Sequence, residues 1–459
     1  MKINKKYFQN LLIVLIIAAG VLWRINAYGD LRLSLGMLDT QSIIDSSVSA
    51  DGLETYFTGR RLPTMNLLYK LMDGTCDLTV SDPYFGKEPE RAIQPCFNTL
   101  ILTQNVLSIF GWVFLAWMVG RRLEIFPVRI IAVAAILAFG FSPQIAEWDS
   151  ILSSESPSLF LFAIMFALLI DLVFQAVAES STPQKINLYI VLWLVFFTLW
   201  ALVRDVHIYA TLITLVLVLP LFWFFPDIRK IKGIIVAAIF FIVLFAVTNH
   251  TSKLSPRWQP SLRHVLDYYV FPYPSRVDFF IEHGMPVDVN GNEYSEWFNE
   301  HGVKTYGLFL LSHPGFIVIT VIETAEYFKS DFIQPYFVIE DSLGRRILTV
   351  VSEILHPETN FVYIVCLLLF LILCTIAFYS RNPEITTWAW LAAWLFFYSI
   401  LSLFISYFGD IDGTRRHIFV SVEQFRLFMW IFFAVLADYI IKKEVRQINN
   451  SSLPSWKVE

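Results

Sequence analysis

The chain has 459 residues, of which 56% are hydrophobic, 16% aromatic and only 16% charged, and its mean hydropathy is +0.59. That is more apolar surface than a water-soluble core of this length can hide, so composition excludes a soluble globular protein and implies an integral membrane one. A formal net charge of -5 leaves no global basic face, which gives a nucleic-acid partner no support.

Apolar runs long enough to cross the ~30 Å hydrocarbon layer are read at 8–27, 99–119, 127–143, 157–178, 187–203, 206–225, 233–249, 361–379, 385–407 and 417–441. "AYGDLR" after the first run is a poor small-residue cleavage site, so that run is expected to be a retained helix rather than a removed signal. The short basic segments "MKINKKY", "GRRLEIFPVR", "DIRKIKG" and "IKKEVR" all fall on one side when about ten crossings are counted. An excess of Lys and Arg marks the cytoplasmic side. Both termini are therefore expected in the cytoplasm of a multi-pass inner (plasma) membrane protein. The extracytoplasmic face then receives residues 28–98, 144–156, 203–206, 250–360 and 409–417.

Tyr306 to Phe328 is also apolar, yet a single extra crossing there would invert everything after it. It is expected to be a non-spanning helix at the outer interface, broken near His313-Pro314-Gly315. The expected fold class is all-α: a polytopic bundle of about ten spans over residues 1–441, with outer loop 28–98 and outer insertion 250–360, then a loose polar tail over 442–459. The aromatic-rich stretch Arg257 to Pro286 in the insertion reads as an interface belt or a lid on the membrane module, which implies contact with membrane lipids.

Cys76 and Cys96 lie in the first outer loop among turn formers, where an oxidising compartment favours a disulfide over two free thiols. Cys366 and Cys374 lie within an apolar run and read as small core residues.

The polar residues of the outer face are the candidates for chemistry. In "GMLDTQSIIDSS", Asp39 and Asp45 are six apart, a spacing that does not place two side chains on one helix face. Asp39 or Thr40 is expected to start a short helix with its N-terminus toward a site, leaving Asp45 a bystander. Glu155, in "LSSESPSLFLF", stands where an apolar helix begins; it reads either as a capping acid or as a site residue at the hydrocarbon boundary. Arg204 and Asp205 interrupt two apolar runs, where charge is costly and faces a protein interior or a wet cavity. His207 beside them reads as a packing histidine. "GDIDGTRRH" before the last span brings Asp410, Asp412, Arg415, Arg416 and His417; paired guanidinium forks suit a phosphate, and lipid headgroups would also use them. Arg60 and Arg61 read as further phosphate contacts or as a solvated basic turn.

Acids and arginines beside a lipid phase fit sugar transfer from a lipid-linked phosphate. A carboxylate takes the proton of an acceptor hydroxyl as it attacks the anomeric carbon, and cations steady the departing phosphate. No nucleotide fingerprint, P-loop or HExxH motif competes.

The layout also resembles a family. One span followed by a long outer loop with an early Asp in "LDTQS", then "GRRLPTMNLLYKLM", looks like the opening of the GT-C membrane glycosyltransferases, especially the bacterial relatives of the protein mannosyltransferases, the family 39 group. "LSSESPSLFLF" resembles their Ser-Glu motif, "ALVRD" their mid-chain Arg turn, and "GDIDGTRRH" an acid and Arg-His turn of related bacterial sequences. The resemblance implies a GT-C-like fold, a polyprenyl-phosphate sugar as donor, and an envelope glycan, lipid or protein as acceptor. It implies Asp39 as general base, Glu155 as a second catalytic acid orienting acceptor or donor, Arg204, Arg415, Arg416, Arg60 and Arg61 on the donor phosphate, and Asp205, His417 and Asp410 in support. The chain departs from the mannosyltransferases in lacking the adjacent acid pair, since Thr40 follows Asp39. The first loop has no Asp-x-Asp, and "DID" at Asp410 to Asp412 stands at the other end of the chain, so neither a metal nor another cofactor is expected. A polysaccharide polymerase or ligase using diphosphate-linked glycans, and a lipid-linked glycan transporter or flippase, remain the alternatives.

Overall fold

The computed structural model describes residues 5–37, 39–73, 75–78, 93–179, 181–329, 342–411 and 414–451. The long helices in chain order are α1 (Lys5–Tyr28), then the short outer-loop helices α2 (Thr40–Ser49), α3 (Leu53–Thr58) and α4 (Pro63–Asp73), followed by α5 (Asn98–Gly120), α6 (Phe126–Phe141) and the stub α7 (Pro143–Ala146). Next come α8 (Glu155–Val177), α9 (Pro183–Ala201), α10 (Ala210–Phe224) and α11 (Lys232–Leu254). The insertion contributes α12 (Trp258–Val265), α13 (Pro274–Glu282), α14 (Asn292–Trp297), α15 (Val303–Ser312), α16 (Pro314–Glu323) and α17 (Leu343–Leu355). The chain closes with α18 (Phe361–Ser380), α19 (Pro383–Gly409) and α20 (Thr414–Ser451).

Among the described residues nine helices are long and apolar enough to cross a membrane, and two bent pairs pass the same test, one running from α6 through α7 to Ser150 (45°) and one from Asn292 through α15 into α16 (85°), so nine to eleven spans stand against the ten expected. The protein is thus an all-α, polytopic membrane protein. Their apolar faces need no one-sided stripe, because lipid on one side and protein on the other are both hydrophobic. α8 is the central helix: Glu155 through Gln175 are buried along its whole length, packed by α5, α9 and α19. Gly140 on α6 and Gly111 on α5 permit close contact there; a Cβ on Gly140 would fall 2.2 Å from the Trp112 ring.

The connections gather at two ends. At one end Lys442 bonds Glu124 and Glu384, joining the 120–126 turn, the start of α19 and the end of α20. This anchor carries α20 through Lys442 and Lys443 to Ser451, so the loose tail expected from residue 442 is helical over its first ten residues; residues 452–459 lie outside the description. At the other end the first loop, the 144–156 junction, the 203–206 turn, the insertion and the 409–414 turn meet, as the contacts below document. The insertion has its own aromatic core around Val265, Leu266, Val270, Phe280 and Phe309. α15 and α16 meet at His313-Pro314 with an 85° bend, the break expected where proline removes a helical N–H donor.

Candidate functional site

The first loop is pinned to the head of α8 by backbone bonds. Leu35 N–H donates to the Ser150 carbonyl (2.9 Å), and Leu152 N–H donates back to Leu35 (2.9 Å). Thr40 Oγ1 accepts from Met37 N–H (2.7 Å) and donates to the Leu152 carbonyl (2.8 Å). This brings residue 39 beside residues 153–155, though they are far apart in sequence. Asp39 stands at the N-cap of α2 but makes no side-chain cap bond. An acid that forgoes a cap worth about 1 kcal/mol has a competing partner, and here it has two. Arg61 Nη2 lies 3.1 Å from Oδ1 and Arg416 Nη1 lies 2.7 Å from Oδ2.

Arg61 reaches this point because the chain folds back after α3. Gly59 makes that turn: its N–H donates to the Thr55 carbonyl (3.0 Å), and a Cβ would sit 2.8 Å from the same oxygen. Ser46 Oγ holds the Arg61 N–H (3.0 Å), and Ser42 Oγ accepts from Arg61 Nε (3.1 Å). Ser42 and Ser46 lie one helical turn apart, so α2 presents two hydroxyls to the same arginine.

Arg416, on the first turn of α20, is shared. Its Nε donates to Glu155 Oε1 (2.7 Å) and its Nη2 to Oε2 (3.4 Å), while Nη1 takes Asp39. Glu155 is fully buried, with Arg204 Nη2 4.0 Å from Oε1. Arg204 also donates to His417 Nδ1 (3.3 Å). Thr64 at the start of α4 braces this corner by bonding the Leu199 carbonyl (2.7 Å) at the end of α9. Burial raises the Asp39 carboxyl, but Arg416 and Arg61 together outweigh it and hold the group down at about 2.

Above these charges opens a cavity of about 1430 Å³, lined by seven arginines against three aspartates. Arg60, Arg61, Arg204, Arg415 and Arg416 all reach it, as do Asp39, Asp205, Asp410 and His417, so most of the residues singled out on the outer face converge; Asp45, Glu155 and His207 do not line it. Glu155 does not line the cavity; expected to orient acceptor or donor, it is buried against Arg416 and Arg204. Asp45 points away, exposed and bonded to Gln41 (2.7 Å). Asp205, expected to orient the phosphate arginines, turns to Arg257 (3.0 Å) of the insertion. His207 is buried between Tyr398 (2.7 Å) and Ser158 (3.1 Å), a packing histidine. Arg415 is exposed and stands 5.3 Å over the Tyr327 ring. Asp412 lies outside the described residues.

The insertion supplies the residues that sequence reasoning passed over. Arg257 bonds the Phe57 carbonyl (2.8 Å), and Ser255 bonds the Gly59 carbonyl (2.8 Å), fastening the insertion to the α3 turn. On α12, Ser261 donates to Asp410 Oδ2 (2.7 Å) and His264 Nδ1 lies 3.2 Å from Oδ1. Their i,i+3 spacing in "PSLRH" puts them on one helix face, a signal present in the sequence but masked there by the aromatics around it. Arg263 joins them in the lining. Among the described residues no cluster of three His, Cys, Asp or Glu side chains is arranged to hold a metal ion. Cys76 and Cys96 form a disulfide that ties the end of α4 to the start of α5.

No model of a known protein family and no curated protein matches the chain. Two solved structures resemble it at 13% identity. One is the archaeal oligosaccharyltransferase AglB from Archaeoglobus fulgidus in complex with an inhibitory peptide and a dolichol-phosphate, at TM-score 0.45 over 99% of this chain and 53% of that one. The other is the Archaeoglobus fulgidus oligosaccharyltransferase tethered to an acceptor peptide containing the NVT sequon, at TM-score 0.40 over 93% and 49%. This chain thus spans about half the length of those proteins, and a likeness so distant transfers none of their chemistry; the site's own residues must supply the functional conclusion.

Proposed function

We propose that the protein is an integral-membrane glycosyltransferase of GT-C type that moves a sugar from a polyprenyl-phosphate carrier to a cell-envelope glycan, lipid or protein on the extracytoplasmic face. The single observation behind this reading is the pairing of one accessible carboxylate, Asp39, with two arginines at the floor of a large basic cavity beside helices apolar enough to cross the membrane. In the proposed step the acceptor oxygen forms its bond to the anomeric carbon while the bond from that carbon to the phosphate oxygen breaks. The hydroxyl proton passes to Asp39, and the lipid phosphate leaves with the electron pair into the field of Arg61, Arg204 and Arg416. Glu155 keeps Arg416 and Arg204 in place, and His417 keeps Arg204 turned toward the cavity.

A diphosphate-linked donor, as a polymerase or ligase would use, has one specific observation in its favour. Arg60, Arg263 and Arg415 line the same cavity with no carboxylate within ion-pair distance among the described residues, so cationic capacity exceeds what one phosphate needs. Incubating the purified protein with a panel of polyprenyl-phosphate and polyprenyl-diphosphate sugars, and following each by mass spectrometry, tests the proposal. Loss of sugar from a monophosphate donor, abolished in Asp39→Asn, supports it. Transport of the intact lipid across a proteoliposome membrane without covalent change overturns it.

A further inference from the structure

The ion pairs around Arg416 are unequal, and the inequality suggests what they do. Glu155 grips Nε and Nη2 of Arg416 side-on, is fully buried, and sits on the first turn of the central helix α8. It has no room to leave. Asp39 holds only Nη1, is 34% exposed, and stands on the loop that leads into a ten-residue helix. It can swing away toward the cavity it already lines. Both of its oxygens are nevertheless occupied, one by Arg61 and one by Arg416. A carboxylate in that state is a poor proton acceptor, because a general base works best unencumbered and with a proton affinity nearer the ambient pH.

A phosphate approaching from the cavity meets the same two guanidinium groups. In a polyprenyl-phosphate sugar it is a diester with one negative charge on two free oxygens, so it matches the carboxylate's fit to a planar fork of donors while the lipid chain adds binding that Asp39 lacks; as the departing monoester it carries more charge still. Once it engages them, Asp39 loses the partners that weaken it as a base and gains a neighbouring negative charge, which raises its proton affinity.

We propose that Asp39 occupies, in the resting protein, the anion position that the donor phosphate takes, and that phosphate binding is what frees Asp39 to act on the acceptor while Glu155 retains Arg416 throughout. This rests on the assignment of Asp39 as general base, and it makes Glu155 a positioning residue. It imposes an order: the lipid donor binds before the acceptor is activated, and departure of the lipid phosphate lets Asp39 close back onto the arginines. Acceptor hydroxyls, water included, therefore meet no active base in the unloaded site.

The test is a binding comparison that needs no turnover. Farnesyl phosphate, the monoester form in which the lipid phosphate departs from the same anion position, is titrated into the full-length protein in nanodiscs, with farnesol as the uncharged control. Asp39→Asn removes the internal competitor and is expected to bind farnesyl phosphate roughly 10-fold tighter than wild type, a shift of about 1.4 kcal/mol, with farnesol unchanged. Glu155→Gln loosens Arg416 and is expected to bind farnesyl phosphate roughly 10-fold more weakly, a change of similar size. Equal or weaker binding by Asp39→Asn overturns the competition, as does an equal gain for farnesol. Should Asp39→Asn not fold, Asp39→Ser carries the same expectation. Should neither fold, a shift of a carboxylate stretching band in the infrared difference spectrum of wild type on adding farnesyl phosphate supports the proposal, and its absence overturns it. Retained transfer by Asp39→Asn would instead remove the base assignment while leaving the binding result to stand, so the two failures are distinguishable.

Discussion

Two clusters near the same end of the bundle are built from the same parts and differ in access. Around Glu423, on the third turn of α20, Arg426 Nη1 donates at 2.6 Å, His356 Nδ1 lies at 2.5 Å and Gln144 donates at 3.3 Å. His356 passes the chain on to Ser142 (2.8 Å) and stacks on Phe139, and Arg426 donates onward to the Pro357 carbonyl (3.2 Å). Carboxylate, histidine and hydroxyl stand in line as in a nucleophilic triad, but each is at most 1% exposed and no substrate reaches them. Around Glu155, on the first turn of α8 and bonded to Arg416 two turns before Glu423 on α20, the carboxylate is equally buried, but its arginine extends an arm to Asp39 and the cavity. A buried charge that is satisfied entirely by protein locks helices together. One whose partner is shared with an accessible acid leaves a position that a ligand can take.

The largest effects should separate the clusters by what they damage. Asp39→Asn is expected to lower transfer by a factor on the order of 10²–10⁴, the usual worth of a positioned base, with the thermal melt of the purified protein close to wild type. Glu423→Ala should do the opposite. It strips a buried Arg426 of its counter-ion and His356 Nδ1 of its hydrogen-bond partner, a loss of roughly 3–5 kcal/mol, read as a lower melting temperature and poor recovery from the membrane. If Glu423→Ala melts normally, the closed cluster is not the lock described here.

Next in size is the disulfide. Cys76 and Cys96 close a 20-residue loop, and replacing both by serine should cost about 3 kcal/mol in the chain-entropy view. The loss would fall on the first outer loop, and so on the open cluster, because Asp39 and Arg61 depend on that loop for placement. Reduced farnesyl phosphate binding by the double serine variant, with the His356 region unchanged in hydrogen exchange, checks this.

Much of the architecture was legible in the sequence for physical reasons. Apolar length and basic ends fix spans almost without tertiary context, because the bilayer admits few alternatives. Thus the helix break at His313-Pro314 falls where the sequence places it, and ion pairs join residues 124, 384 and 442 at one place and residues 39, 155 and 416 at another. Arg204 stood out because charge beside hydrocarbon is costly enough to need a reason, and Asp39, Arg61 and Arg416 by their place in polar turns assigned to the same side; the structure brings the four to one cavity. The direction of Glu155 was not legible: capping acid, substrate ligand and buried counter-ion look alike in a sequence, and only packing around α8 decides. Asp205 was placed on other arginines for the same reason, since its partner Arg257 comes from 52 residues later in the insertion. Ser261 and His264 lay on a recognisable helix face, but the residue they serve, Asp410, is 149 and 146 positions away.

The smallest expected effect tests the open cluster through its charge. The Asp39 carboxyl is held at about 2 against an ordinary value of 3.8, so the folded state binds that proton less readily than the unfolded chain. A depressed acid contributes stability that is complete above its unfolded value and is lost as pH falls through its folded value. The difference in melting temperature between wild type and Asp39→Asn should therefore be flat from pH 5 upward and shrink between about pH 4 and 2. Asp39 is a third exposed, so the difference is small, and other carboxylates titrate in the same range; only the subtraction isolates it. Asp45→Asn supplies the baseline, because that acid is exposed and its side chain bonds Gln41 on the same helix. As a surface substitution it should stay within about 0.5 kcal/mol of wild type. A pH-independent difference for Asp39→Asn would mean that the arginines do not hold Asp39 as an ion in the resting protein, and the contrast between a closed cluster and an open, exchangeable one would fail at its central residue.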